Sequence, residues 1–217
     1  MIKSQSKHTK SNTRMTKPQI VTSWDDGHPL DTRIAALLRE NTLHGIFFWT
    51  VQSVREAGQS PNWMDPIAKD FIVGSHGIEH RNITSMEEAE IIHEVQYSRG
   101  FLQSRFDQPV RWFCPPRGYY NEQASALIVD AGYSWMRTTK FCWIENNDNP
   151  LIVHPDIHVY NSRDEYEGLS WLDFARRRWT LACKTGQRRF HIWGHSWEIQ
   201  KQDQWDNLAL FLKEITQ

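Results

Sequence analysis

The sequence predicts an α/β fold, and three observations carry that prediction. Short apolar runs alternate with amphipathic stretches along nearly the whole chain. Each polar cluster of chemical interest stands just after one of those runs: Asp25-Asp26, His76 to His80, Pro115 to Gly118, and His195. In parallel α/β folds functional side chains gather at the carboxyl ends of strands, so clusters remote in sequence converge in space. Finally, 217 residues with 39% hydrophobic and 24% charged side chains suit one domain with a substantial core.

In chain order, the apolar runs place strands at Gln19–Trp24, Gly45–Trp49, Phe71–Ser75, Val110–Cys114, Tyr133–Arg137, Ile152–Val159 and Arg189–Trp193. Helices are expected near 30–40, 86–106, 121–131, 169–184 and 203–215. The second opens with Ser85 and Glu88 at capping-box spacing, followed by a stripe of Ala89, Ile92, Gln96, Arg99, Leu102 and Phe106. Neither an internal repeat nor a linker interrupts the pattern.

Composition narrows the function classes. Lys plus Arg (25) balance Asp plus Glu (26), so no general attraction to nucleic acid is expected. Cys114, Cys142 and Cys183 are widely spaced and lack a C-x-x-C, which argues against a disulfide framework or zinc knuckle and for a reducing compartment. No apolar run reaches the about 18 residues that a membrane span needs. Residues 1–17 are cationic, without the apolar stretch of an export signal, and read as a flexible tail; a cytoplasmic location is the expectation.

The chemistry starts at Ser23-Trp24-Asp25-Asp26-Gly27. Two adjacent carboxylates at a strand end repel unless a cation offsets them. One can hold a metal while its neighbour acts on water, although D-D-G is also good turn chemistry. His76-Gly77-Ile78-Glu79-His80 supplies two imidazoles that reach one ion if the segment makes a helical turn. Asp26, His76 and His80 then form two His and one carboxylate with an open position, the arrangement of a catalytic zinc site, and Asp25 stands beside it as a proton acceptor.

The motifs S-W-D-D-G, H-G-I-E-H, F-C-P-P-R-G and H-I-W-G-H, in that order and over roughly residues 20–200, resemble the polysaccharide deacetylases, carbohydrate esterase family 4. The resemblance implies a distorted (β/α) barrel of about seven strands, and reads residues 18–217 as its catalytic domain. It implies base for Asp25, metal ligand for Asp26 with His76 and His80, and a divalent metal, Zn2+ first, with Co2+, Ni2+ or Mn2+ as substitutes. It places the N–H of Arg117, after Pro116, at the oxyanion, and makes a histidine just after the last strand the general acid. His195, beside Gly194 and beyond the strand end, fits that role better than His191, which reads as a hydrogen-bonded core residue.

One departure stands out. The family's arginine, which steadies the base, is Cys114 here; Arg111 and Arg117 are candidate replacements, and Cys114 itself reads as a small buried hydrophobe. The acidic partner of the acid histidine is unassigned between Asp156 and Glu198. Eleven tryptophans suit a carbohydrate site, with Trp193 and Trp197 nominated for substrate contact ahead of Trp49. The function expected is metal-dependent removal of acetyl groups from an acetylated sugar. The rivals are hydrolysis of a non-sugar amide of the cyclic ureide type, and a non-catalytic carbohydrate-binding relative.

Overall fold

The computed structural model describes residues 17–143 and 149–217. The tail expected over 1–17 thus lies, Lys17 apart, outside the described residues. Among these residues eight strands form one sheet, every adjacent pair parallel: β1 Gln19–Asp26, β2 Gly45–Trp49, β3 Ile72–Ser75, β4 Trp112–Phe113, β5 Trp135–Arg137, β6 Ile152–Val153, β7 Ile157–His158 and β8 Arg189–Gly194. Their order is β6-β5-β4-β3-β2-β1-β8-β7.

The expected strand over Ile152–Val159 is in fact two. Pro155 has no N–H to give a ladder, and the chain breaks there. Its halves take opposite edges of the sheet: Val153 pairs with Arg137, and Ile157 with Ile192. The four residue steps between Val153 and Ile157 can span at most about 14 Å. The two edges are therefore drawn together and the sheet curls into a nearly closed barrel. Bonds from Cys142 N–H to the Pro155 carbonyl (2.9 Å) and from Asp156 N–H to the His191 carbonyl (2.8 Å) span the seam.

Strand alternation divides the side chains into two layers. Phe47, Trp49, Trp24, Phe190 and Ile192 point outward into the main core under the helices. Ile46, Phe48 and Cys114, with Val21 and Trp112, pack together inside the barrel. Among the described residues, eight α-helices cover the outside: α1 Asp31–Glu40, α2 Val51–Glu56, α3 Asp65–Asp70, α4 Glu88–Phe106, α5 Glu122–Asp130, α6 Trp171–Thr185, α7 Ser196–Lys201 and α8 Trp205–Thr216. The five long ones match the expected stretches. The three short ones are too brief to show a 3.6-residue period.

Helix α4 starts two residues later than expected. Its capping box is Glu87 with Glu90, while Ser85 ends a 3-10 turn. The buried face is Ile91, Glu94, Val95, Ser98 and Leu102, not the stripe beginning at Ala89. Two polar members, Glu94 and Ser98, hid that face from a hydrophobicity pattern. Glu94 is there for the site.

Candidate functional site

The carboxyl ends of β1, β3, β4, β5 and β8 bring the polar clusters to one end of the barrel. Asp26 leaves β1 at φ +78° and His80 ends its loop at φ +58°, left-handed conformations uncommon for residues with side chains. They aim three donors at one point: Asp26 Oδ1 is 3.5 Å from His76 Nε2 and 3.4 Å from His80 Nε2. A tetrahedral ion with bonds of about 2.0–2.1 Å spaces its donors about 3.3–3.4 Å apart. Asp26 Oδ1 is moreover buried and has no hydrogen-bond partner among the described residues. Donor types, spacing and the unpartnered oxygen all fit a divalent metal.

The segment His76 to His80 is a loop rather than the helical turn anticipated, and other residues hold it. His76 Nδ1 lies 2.6 Å from the Cys114 carbonyl, which fixes the proton on Nδ1 and turns Nε2 toward Asp26. The N–H of Ile78 donates to Glu94 Oε1 (2.5 Å). Gly77 sits at φ +78°, where a Cβ would come 2.6 Å from that same carboxylate oxygen, so glycine is required. Trp197 Nε1 donates to Asp26 Oδ2 (2.9 Å), leaving Oδ1 for the histidine pair.

Asp25 points into the barrel and is 2% exposed. Its Oδ1 accepts from Arg137 Nη2, at the end of β5. Neither Arg111 nor Arg117 fills the place of the arginine missing at Cys114; Arg137 does. The Cys114 thiol, fully buried, lies 3.7 Å from Asp25 Oδ2. Burial opposes ionisation of Asp25, but the charges of Arg137, His76 and His195 outweigh it and hold the carboxyl below its ordinary range.

His195 closes the cluster from β8. Its Nε2 is 4.0 Å from Asp25 Oδ2 and 3.8 Å from Asp26 Oδ2, and its Nδ1 meets Glu198 Oε2 at 2.5 Å. Glu198 is therefore the acidic partner. Asp156 is instead occupied at the seam by the His191 N–H and Gln187. Burial lowers the His195 pKa, yet Glu198 and Asp25 reverse that and raise it above 6.5. Burial likewise opposes ionisation of Glu198, but bonds to His158 and His195 bring its pKa down to about 2. His158 Nε2 sits 2.9 Å from the same Oε2; burial pushes the His158 pKa down to about 4, so the ring is a neutral Nε2–H donor.

His191 is buried 2.9 Å from Ser23 Oγ, the core histidine expected. Trp193 is not where a sugar could reach it. It is 3% exposed, stacked on His158 (3.8 Å) with the Arg137 guanidinium at 4.6 Å. Trp49 is fully buried and donates to Asp31. Trp197 remains half-buried beside His195, at a ring distance of 5.3 Å. Pro116, buried, and Arg117, at φ +60°, form a 3-10 turn after β4. Arg117 is near enough to His80 for its charge, after burial and His76, to disfavour the protonated ring.

Sequence reading missed Arg137, Glu94, His158 and Asp31. Asp31 accepts from Ser196 Oγ (2.6 Å) and Trp49 Nε1 (3.2 Å), and burial raises its pKa to about 7. Two other groups of ligand-type side chains occur among the described residues. In Asp25–His76–Cys114 the carboxylate is taken by Arg137. In His158–His195–Glu198 both histidines are already hydrogen-bonded to Glu198. Asp26, His76 and His80 are the set left open.

The family model described as polysaccharide deacetylase matches residues 12–136. The chain belongs to that family. Three solved structures are similar to it, two of them from carbohydrate esterase family 4. A Streptomyces lividans esterase in complex with acetate is 16% identical, with TM-score 0.63 over 92% of this chain and 90% of that one. A Bacillus subtilis peptidoglycan deacetylase is 15% identical, with TM-score 0.62 over 92% and 84%. A Bacillus anthracis pseudoenzyme is 15% identical, with TM-score 0.64 over 93% of this chain but only 61% of that one. At such identities the likeness is one of fold. The comparison with curated proteins gave no match. No helix among the described residues is long and apolar enough to cross a membrane.

Proposed function

We propose that this polysaccharide deacetylase family member is an active hydrolase that removes acetyl groups from an N-acetylated sugar or oligosaccharide. The observation that carries the reading is the convergence of Asp25, Asp26, His76, His80 and His195 at one end of the barrel, with donor separations of 3.4 and 3.5 Å. A divalent ion held by Asp26, His76 and His80 supplies Lewis acidity, making water a better acid and a carbonyl a better electrophile.

The remaining work belongs to the chain. Asp25, kept anionic by Arg137, accepts a proton from the attacking water as its oxygen bonds to the acetyl carbon. The Arg117 N–H, on the turn after β4, is the donor assigned to the oxyanion that forms. His195, kept protonated by Glu198, gives its proton to the departing amine as the C–N bond breaks. The products are acetate and a free amino sugar, and the pair Asp25–His195 ends with one proton moved between them. Trp197 is the aromatic side chain placed to meet the sugar.

The presence of a pseudoenzyme among similar folds makes a non-catalytic reading the alternative. Retention of base, acid and all three donors in this chain favours catalysis, because binding alone needs none of the paired charges. A screen for acetate release from chitooligosaccharides, muropeptides and acetylxylan, with zinc or cobalt supplied, tests the proposal. Sugar binding without acetate release on any of them would overturn it.

A further inference from the structure

The barrel has a second mouth, at the amino ends of its strands. A cavity of about 540 Å³ opens there, inside the about 300–1,000 Å³ range of small-molecule sites. Val21 of β1, Trp112 of β4 and three arginines, Arg178, Arg188 and Arg189, line it. His191 lines it as well. Its ring bonds Ser23 Oγ, two residues before Asp25 on the same inward face of β1, so one layer of side chains separates the cavity from the candidate reaction site.

The charge at this mouth is unbalanced. Asp156 is its one carboxylate, and that group is already served by the His191 N–H (2.8 Å), Gln187 Nε2 (2.8 Å) and Cys142 Sγ (3.0 Å), with Arg178 Nη2 at 3.6 Å. Arg178 Nε is buried without a hydrogen-bond partner among the described residues. Arg188 and Arg189 are exposed and make no ion pair among the described residues. Guanidinium forks match the oxygens of a phosphate. Trp112, half-buried and stacked on Trp135 (4.9 Å between rings), offers a flat apolar wall beside them.

We propose that this mouth binds a phosphate-bearing small molecule, its oxyanion on Arg178, Arg188 and Arg189 and any ring against Trp112. The site is independent of the deacetylation assigned to the other end. Calorimetric titration of the zinc-loaded full chain at fixed ionic strength, with inorganic phosphate and with a hexose phosphate, tests it. One site per chain is expected. Arg188→Gln/Arg189→Gln, which alters only exposed side chains, should weaken it at least about tenfold by removing charge-assisted contacts. Arg178→Gln should do likewise, while Arg176→Gln, on the same helix but outside the cavity, and His80→Gln, at the other end, should leave it intact. Tighter binding of the hexose phosphate, lost in Trp112→Ala, identifies an organic ligand; equal affinity identifies free phosphate. Absence of binding, indifference to the paired arginine change, or loss in His80→Gln would overturn the proposal, the last by placing the anion on the metal donors.

Discussion

Arg137, at the end of β5, ion-pairs with Asp25, 112 residues earlier on β1, inside the barrel where both are almost fully buried. The guanidinium is held between Phe48 (5.2 Å) and Trp193 (4.6 Å). The Cys114 thiol lies 3.7 Å from the other oxygen of the Asp25 carboxylate. The same electrostatic task is thus done from a different strand than the family pattern implies.

Removing one member of such a pair leaves a buried charge uncompensated. Arg137→Met should lose about 3–5 kcal/mol of stability. Without the guanidinium, burial raises the Asp25 pKa, so the acid limb of any acetate-release profile should move to higher pH. Cys114→Arg in that background should restore part of both. Chemical denaturation and pH–rate profiles of the single and double variants check this, and equal activity in Arg137→Met and the unaltered chain would contradict it.

Glu198 acts on His195 alone among the reacting groups. Glu198→Gln removes the carboxylate that raises the His195 pKa, so the proton is lost at lower pH and the alkaline limb should shift downward. The rate should fall at least about tenfold, a part of the about 10²–10⁴ that a positioned acid contributes. Zinc content should not change. An unshifted alkaline limb would remove Glu198 from this role.

His191 offers a test by stability. Burial, with the charges of Arg137 and Arg189, lowers its pKa from 6.5 to about 3. Between those values the unfolded chain binds a proton that the folded chain refuses. Stabilisation is therefore complete above pH 6.5 and is lost as pH falls toward 3. The slope approaches about 1.4 kcal/mol per pH unit for one such group. Urea midpoints at pH 7, 6 and 5 should fall less steeply in His191→Gln, whose amide can still bond Ser23; parallel slopes would contradict the neutral buried ring.

What could be read in the sequence follows from where the information lies. Asp25, Asp26, His76, His80 and His195 were legible because each stands in a short contiguous motif at the end of an apolar run. Arg137 was not, because its partner is fixed by strand order across β1 to β5, which no local pattern encodes. Glu94 was hidden because it and Ser98 break the apolar pattern of the helix face that is buried, and His158 lay in a strand whose break at Pro155 sends it to the far edge of the sheet. Trp193 misled for a related reason. It points inward like His195, but two residues lower, where Arg137 and His158 enclose it.

Trp197 is expected to matter to the metal before it matters to a sugar. Its Nε1–H bonds Asp26 Oδ2 and so orients the ligand oxygen. Trp197→Phe keeps the ring and deletes the donor. Competition against a chelating indicator should show zinc affinity about 10–100-fold weaker. Unchanged affinity would mean that β1 alone sets the Asp26 rotamer.

The division of labour between Asp25 and Asp26 is tested most directly by loading Asp25→Asn with zinc and measuring metal stoichiometry and acetate release together. The substrate is whichever acetylated sugar the unaltered chain turns over. One zinc per chain is expected, with acetate release reduced by about 10²–10⁴-fold, the loss of a general base. Full acetate release from Asp25→Asn, or disappearance of the zinc along with the activity, would contradict the assignment of base to Asp25 and ligand to Asp26.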